Sequence, residues 1–544
     1  MSYNYSSCSS SYDSDYVFEV KHGYNVVAWD TFLMIGDPHY KHDQGSINFY
    51  EIKDGGKKLQ HLQTLDIPIM EPDTNASSMR VHNLLCDKEF GAILAIDKLG
   101  LQSNEDGSMK PFFFAVGLPN AENLGGYKTG GVAIYKYDNS ADYNQDQNNK
   151  YWTQIQIINH CDETGGNDSQ FGSAIDICGE YMIVGAPNSS DWNMKSGIAC
   201  VYKYDSTEEK FLFYGKLRPT RYDRNTSMFG HSVQVGLWHN GTVVQPTFYV
   251  GSIGGAYKFR VPMNEDEDGL VSTFAADSEG IGDCGWAKWI EQLESDLKDS
   301  ISQNMQNLVF LCTSDHSDTT LYTICTSFDC QYVAIGSESS PKRVGRVFII
   351  EKDKVSRIKP SHEGRAYFGR YMDINHLSKI DYKSSVVSDE QITAGVLEVI
   401  NAMEESADKQ TLLDFHNAED KTAGNADYDK IVSDVTNNLN AQQPFLDTHY
   451  LLAVGTARKC RGDLGGSIRT YYYNADSSVR NKWKRMSTLV DKNGRMDLIN
   501  SVSVSTDYTV IGDSTSRTIF IAQNRDIIIT SKRKLLKCKV HRRK

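Results

Sequence analysis

Short apolar runs, some alternating with polar residues and some continuous, recur along the whole chain and are bounded by Gly, Asn and Asp. Residues 171–204 show the unit most fully. FG opens it, then come SAIDIC, a second run ending in VGAP, a polar loop, a Gly, and an aromatic-rich run ending in YKY. The skeleton returns from Phe90 (FGAILAID, FFFAVGLP, GGVAIYKYD), from Phe229 (FGHSVQVG, TFYVGS, GGAYKFRV) and from Phe368 (FGRYMDI, resuming with HYLLAVGTA and GGSIRTYYY). Copies without FG stand at 24–52, at 330–353 and at the end, as SVSVS, YTVIGDS and RTIFIAQ. Further strand-like runs follow the first three units at 59–67, 151–158 and 211–217.

The Gly of the VG element is Gly36, Gly117, Gly185, Gly251, Gly336, Gly455 and Gly512, at intervals of 57 to 119 residues. A four-stranded sheet of this size cannot bury its faces alone, but several packed around an axis can, so the period predicts β-propeller blades. The two longest intervals hold insertions. In 263–320, Trp286, Trp289, Ile290, Leu293, Leu297, Ile301, Met305 and Leu308 fall on one helical face; in 378–448, helical patterns run over 389–405 and 428–439. Residues 17–20 are expected to close the ring as the last strand of the seventh blade, in preference to 527–530, because that removes an open edge. The predicted class is all-β: a polar lead-in over 1–16, a seven-bladed β-propeller over 17–530 with two partly helical insertions, and a basic C-terminal tail over 531–544.

The pattern FG, VGAP, Gly, YxY resembles the FG-GAP repeats of the integrin α-subunit propeller and related propellers. That resemblance covers the chain from about Val17 to Thr530 apart from the insertions. It implies the propeller fold and a range of roles, among them adhesion receptors, lectin-like proteins and phospholipase appendages. Several blades of that family carry DxDxDG calcium loops between the first two strands. Here the loop after Phe171 is CGE and that after Phe229 is LWHNGT; Asn104, Asp106 and Gly107 are the best remnant, with Lys110 where an acid belongs.

Composition supports a folded β protein: 40% hydrophobic, with 30 Tyr and 42 Gly against 12 Pro. The net charge of -13 conceals an asymmetry, because the tail carries Lys532, Arg533, Lys534, Lys537, Lys539, Arg542, Arg543 and Lys544 with no acid, leaving -21 for the rest. An acidic body argues against wrapping nucleic acid around the main fold. The tail is suited to an acidic protein surface, nucleic acid or anionic lipid, or is simply solvated. The eleven cysteines form no CxxC pair. Cys178 and Cys200, in apolar runs, read as free thiols acting as small hydrophobes, which favours a reducing compartment. Residues 1–16 lack the basic and apolar regions of a secretory signal, and no apolar run is long enough for a transmembrane segment, so the expected location is intracellular or within an assembled particle.

Candidate chemistry is sparse. Asn264, Asp266 and Asp268 match the first half of a calcium loop, but Ala275 stands where a bidentate acid is needed, and a solvated acidic loop explains them better. His39 and His42, with Asp37 and Asp43, are of metal-ligand type in a loop with nothing to fix their geometry. Arg461, Gly462 and Asp463 spell RGD, a short match that arises readily by chance. The Gly-rich run 125–131 lacks P-loop spacing, and no HExxH or GxSxG is present. The expectation is a non-enzymatic chain without cofactor, calcium being the one candidate ion: a protein–protein interaction or structural scaffold, within a large assembly such as a virus particle. The alternative is a glycan-binding or calcium-dependent adhesion module.

Overall fold

A computed structural model of the chain describes residues 17–18, 25–40, 45–54, 58–66, 90–102, 110–121, 129–138, 151–159, 168–190, 195–217, 228–239, 244–253, 255–260, 321–337, 345–351, 354–358, 368–377, 406–417, 425–442, 450–456, 467–473, 483–489, 499–513 and 518–524, with scattered residues between 393 and 403. These residues are mostly strand. After a short β1 (Val17–Phe18), sheet 1 holds β2 (Asn25–Trp29), β3 (Phe32–Asp37), β4 (Ser46–Lys53) and β5 (Lys58–Leu65). Sheet 2 holds β6 (Ile93–Ile96), β7 (Phe113–Gly117), β8 (Gly131–Tyr137) and β9 (Trp152–Asn159). Sheet 3 holds β10 (Ala174–Cys178), β11 (Tyr181–Ala186), β12 (Ile198–Asp205) and β13 (Lys210–Leu217). Sheet 4 shows β14 (Ser232–His239), β15 (Val244–Ser252) and β16 (Gly255–Arg260), one strand fewer than the repeat predicts among the described residues.

Sheet 5 is β17 (Tyr322–Thr326), β18 (Tyr332–Ser337), β19 (Arg346–Glu351) and β20 (Lys354–Ile358), and sheet 6 is β21 (Met372–His376), β22 (Tyr450–Thr456), β23 (Ser467–Tyr473) and β24 (Trp483–Leu489). Sheet 7 is β25 (Ile499–Val504), β26 (Tyr508–Asp513) and β27 (Thr518–Gln523), and β1 completes it: Val17 pairs with Phe520 and Phe18 with Ile519. The expected N-terminal clasp is therefore present over residues 17 and 18. The rival segment 527–530 lies outside the described residues.

Within each sheet consecutive strands are antiparallel neighbours, and the second strand is the most buried because it has cover on both faces. All of Tyr508–Asp513 is buried, as are five of the six residues of Tyr181–Ala186. The first strands pack on one another in chain order, β2, β6, β10, β14, β17, β21 and β25, and β25 packs back on β2. Apolar clusters fill the spaces between sheets. Trp29, Phe49, Phe112, Phe114 and Trp152 lie between sheets 1 and 2, whereas Val26, Leu33, Ile35, Val510, Ile519 and Ile521 join sheet 1 to sheet 7. The architecture is thus a propeller-like assembly of small antiparallel sheets.

Four of the glycines that reveal the repeat are joints between sheets. A Cβ on Gly185 of β11 would stand 1.9 Å from the carbonyl oxygen of Gly230, the FG glycine opening sheet 4. Gly230 itself has φ +89, and its N–H donates to Gly251 O at 3.2 Å. The same contact distance recurs for Gly36 on Gly91, Gly117 on Gly172 and Gly336 on Gly369. FG and VG mark the two halves of one joint.

Residues 377–450 with 473–482 form a separate compact unit. It contains α1 (Ala407–Asn417) and α2 (Ala426–Gln442) around a core of Val396, Ile400, Leu412, Tyr428 and Val435. Asn425 caps α2, its Oδ1 accepting from Asp427 N and Tyr428 N, both at 3.1 Å. The expected helix over 428–439 is this longer α2, and Val396, Leu397, Val399 and Ile400 are helical inside the expected 389–405. α1 was not expected, because its apolar residues, Leu412, Leu413 and Phe415, crowd its C-terminal half rather than recurring along one face. The helical pattern in 263–320 lies outside the described residues.

Candidate functional site

The first strands meet at the axis of the sheet assembly, and polar side chains on or beside them bond backbone groups on or beside the neighbouring first strand. Ser501 and Ser503 Oγ accept from Val26 N (3.2 Å) and Ala28 N (3.0 Å), and Asn25 Nδ2 donates to Ala92 O (2.6 Å). Asp97 Oδ1 accepts from Gly179 N (2.8 Å), and Asp176 Oδ2 from Val235 N (2.7 Å). Ser232 Oγ and Gln234 Oε1 accept from Ile324 N (3.0 Å) and Thr326 N (3.2 Å), and Thr323 Oγ1 donates to Gly369 O (2.6 Å). Asp373 Oδ2 accepts from Val504 N, and Asn375 Nδ2 donates to Val504 O, both at 2.7 Å. Every one of the seven sheet-to-sheet junctions carries such a link.

Lys98 is the hub. It sits in the turn after β6, its own N–H held by Ile177 O at 3.1 Å. Its Nζ reaches Asp176 Oδ2 at 2.5 Å on sheet 3, Gln234 Oε1 at 2.7 Å and Val235 O at 3.1 Å on sheet 4, and Thr326 O at 3.4 Å on sheet 5. The pair is enclosed, with 17% of the Lys98 and 8% of the Asp176 side chain exposed. Burial alone would lower the ammonium pKa; the charge of Asp176 and the hydrogen bond to it outweigh this and raise it. Lys98 is therefore a charged tie and not a neutral amine nucleophile.

Two further carboxylates share its field. Burial pushes Asp97 up to about 6 against the pull of the Gly179 and Leu99 N–H groups, and it pushes Asp373 up to about 6 against the Val504 N–H and the charge of Lys98. Burial also drives the Cys178 and Cys325 thiols up, so neither offers a thiolate near neutrality. Asp97 and Asp373, both near 6, are thereby poised to exchange protons close to neutrality.

Of the metal-ligand candidates singled out from sequence, His39 and Asp37 are among the described residues, and they stand apart from Lys98. His39 stands at the exposed turn after β3, its N–H donating to Asp37 Oδ1 at 3.2 Å. His42, the Asn264, Asp266 and Asp268 set, the RGD at Arg461, Gly462 and Asp463, and the tail from Lys532 to Lys544 lie outside the described residues. Among the described residues no group of three or more His, Cys, Asp or Glu side chains is arranged to hold a metal ion, and no helix is long and apolar enough to cross a membrane. Cys178 is a free buried thiol as expected, but Cys200 is disulfide-bonded, a correction that removes the cysteine pattern as a ground for a reducing compartment.

Sequence reading passed over Lys98 and its partners, although a signal existed. The fifth residue after the Phe of FG is Asp176, Gln234 and Asp373 in three units, an acid or amide inside an apolar strand.

No family model matches the chain, and no curated protein matches it in sequence. Solved structures similar to it include a candidate 6-phosphogluconolactonase from Bacteroides fragilis, at 8% identity over 94% of this chain and 92% of that one, with a TM-score of 0.40. Another candidate 6-phosphogluconolactonase, from Bacteroides uniformis, has 9% identity over 91% and 93%, with a TM-score of 0.39. Saccharomyces cerevisiae Sqt1 has 8% identity over 92% and 83%, with a TM-score of 0.34. Two of these three are described as enzymes, so the expectation that the chain is not an enzyme is corrected: this type of assembly gives no ground for excluding catalysis. Similarity at this level assigns no reaction to the chain.

Proposed function

We propose that the seven sheets form one closed seven-bladed β-propeller and that the chain is a protein-interaction scaffold. The observation that carries this reading is Lys98, whose ammonium meets four acceptors on three other sheets. On the axis of a ring a ligand could touch several sheets at once, and there the chain has placed links between its own sheets. The surfaces left for recognition are the rim and the loops, where propellers present side chains from successive blades. The clasp of Val17–Phe18 on β27 supports closure, since it ties the first strand of the chain to the last.

Affinity capture of the full chain with quantitative mass spectrometry tests the scaffold reading. A defined protein set retained in stoichiometric amount is expected. A monomer that retains nothing overturns it. Closure is tested separately by removing residues 1–18, which is expected to lower the melting temperature.

A further inference from the structure

Sheets 1, 2 and 3 share one irregularity on their outer strands. In each, the register shifts beside a tyrosine of the third strand: Tyr50 faces His61, Tyr135 faces Gln154, and Tyr202 faces Phe213. The residue before each of these is Gln60, Thr153 and Leu212. The three rims can therefore be compared position by position. Sheets 1 and 2 present Gln60 with His61 and Thr153 with Gln154, whereas sheet 3 presents Leu212 and Phe213, 39% and 51% exposed.

A second difference falls two residues further on. Gln63 of β5 reaches across to sheet 2, its Oε1 accepting from Trp152 N at 2.9 Å and its Nε2 donating to Trp152 O at 3.1 Å. Gln156 of β9 does the same to Phe211 of sheet 3, at 2.8 and 3.0 Å. The matching residue of β13 is Gly215, which has no side chain to send to the next sheet. The run of rim braces stops where the exposed apolar pair begins.

We propose that β13 is a docking edge that takes an extended segment of a partner protein as an added strand, a segment bearing both apolar and acidic side chains. The proposal rests on the scaffold reading and names its surface. An outer strand offers a row of backbone groups to an incoming strand, and exposed apolar side chains give such pairing its specificity. Charge decides the occupant. β13 carries Lys210 and Lys216 and no acid, and Lys203, exposed on β12, stands opposite Leu212, all within a chain of net charge -13. Two of the three hairpin acids are engaged locally, Asp205 Oδ1 accepting from Thr207 N and Glu208 N and Glu209 pairing with Lys136, and the third, Glu208, lies in the exposed turn and not on β13. Lysines on an edge oppose pairing with a second copy of the same basic strand and favour an acidic one.

The test pans a display library of short random peptides against the full chain, with counter-selection on the double variant Leu212→Thr, Phe213→Gln. These substitutions install the residues that sheet 2 carries at the same positions, so the fold is kept, and circular dichroism verifies it. Expected are peptides in which apolar residues are interspersed with Asp or Glu and the centre lacks Pro. They should lose about tenfold or more in affinity on the double variant. Selected peptides that are basic or Pro-rich, peptides that bind both forms equally, or no enrichment at all overturn the proposal. Self-association of the wild type that the double variant abolishes also overturns it, because a second copy is then the occupant. If captured partners remain bound to the double variant, the docking edge fails while the scaffold reading stands.

Discussion

β10 and β13 are the two ends of one four-stranded sheet, and they invert the usual distribution of polar and apolar side chains. The inner strand buries Asp176 on the axis and satisfies it with Lys98 and Val235 N. The outer strand exposes Leu212 and Phe213. The inversion follows from what each end must do. At the axis, adjacent first strands bring buried backbone N–H and C=O groups together, and polar side chains satisfy them at lower cost than leaving them bare. At the rim water can do that work, so an apolar residue there is free to serve something outside the chain.

The sharpest way to break the assembly lies at neither end but at the joints between sheets. Gly185→Val would place side-chain atoms onto the Gly230 carbonyl, where even a Cβ is allowed only 1.9 Å. Backbone sits on both sides and has no rotamer to move, so about 5 kcal/mol or more is expected, enough to prevent folding. Gly455→Ala is the control: its nearest neighbours are Ile468 Cδ1 at 3.2 Å and Tyr371 O at 3.3 Å, which leave room for a small adjustment. Urea denaturation should show a cooperative transition for Gly455→Ala and none for Gly185→Val. Equal behaviour would refute the joint.

Next in size is the axis. Lys98→Met leaves Asp176 enclosed without its cation, and loss of one partner of a buried pair costs about 3–5 kcal/mol. The urea midpoint should fall accordingly. Lys98→Met combined with Asp176→Asn should recover part of the loss, since an amide can still accept from Val235 N. No recovery in the double variant would show that Lys98 acts through packing alone.

These two predictions also separate what was legible in the chain from what was not. The joints were legible as FG and VG because a close approach of backbones admits only Gly, and the need recurs at four junctions, Gly36 on Gly91, Gly117 on Gly172, Gly185 on Gly230 and Gly336 on Gly369. The clasp at Val17–Phe18 was legible from the open edge that a ring must avoid. The hub was not: Lys98 follows an ordinary apolar strand, and its partners Asp176, Gln234 and Thr326 come from three different repeats that only the packing of sheets 3, 4 and 5 brings together. The motifs that did draw notice, DxD, HxxH and RGD, are local patterns and need no fold to be visible. Of their residues, His39 stands at an exposed turn, and His42, the Asn264, Asp266 and Asp268 set and the RGD lie outside the described residues.

The axis should also make stability depend on pH. Asp97 is raised to about 6 in the folded chain, above its value when unfolded, so the folded state binds the proton more tightly. Its contribution is fully present below about pH 4 and is lost as pH rises through about 6, a change of about 2–3 kcal/mol. Asp373, also near 6, adds a change of the same sign. The urea midpoint should be higher at pH 5 than at pH 7.5, and Asp97→Asn should flatten the difference. A variant that titrates like the parent would place the pH dependence elsewhere.

The smallest effects belong to the rim, and they grade by enclosure. Gln156→Ala removes two hydrogen bonds to the backbone of Phe211, a buried residue, and should cost about 1–2 kcal/mol. Gln63→Ala should match it through Trp152, which is equally buried. Lys136→Met also breaks a contact between sheets 2 and 3, the pair with Glu209 at 3.0 Å. Here the side chains are 34% and 67% exposed, water replaces what is lost, and the change should stay within about 0.5 kcal/mol. Thermal melts of the three variants should therefore rank the two glutamines together and well below Lys136→Met. If Lys136→Met proves as damaging as either glutamine variant, the rim is held by charge rather than by backbone braces, and the end of the brace series at Gly215 loses its meaning.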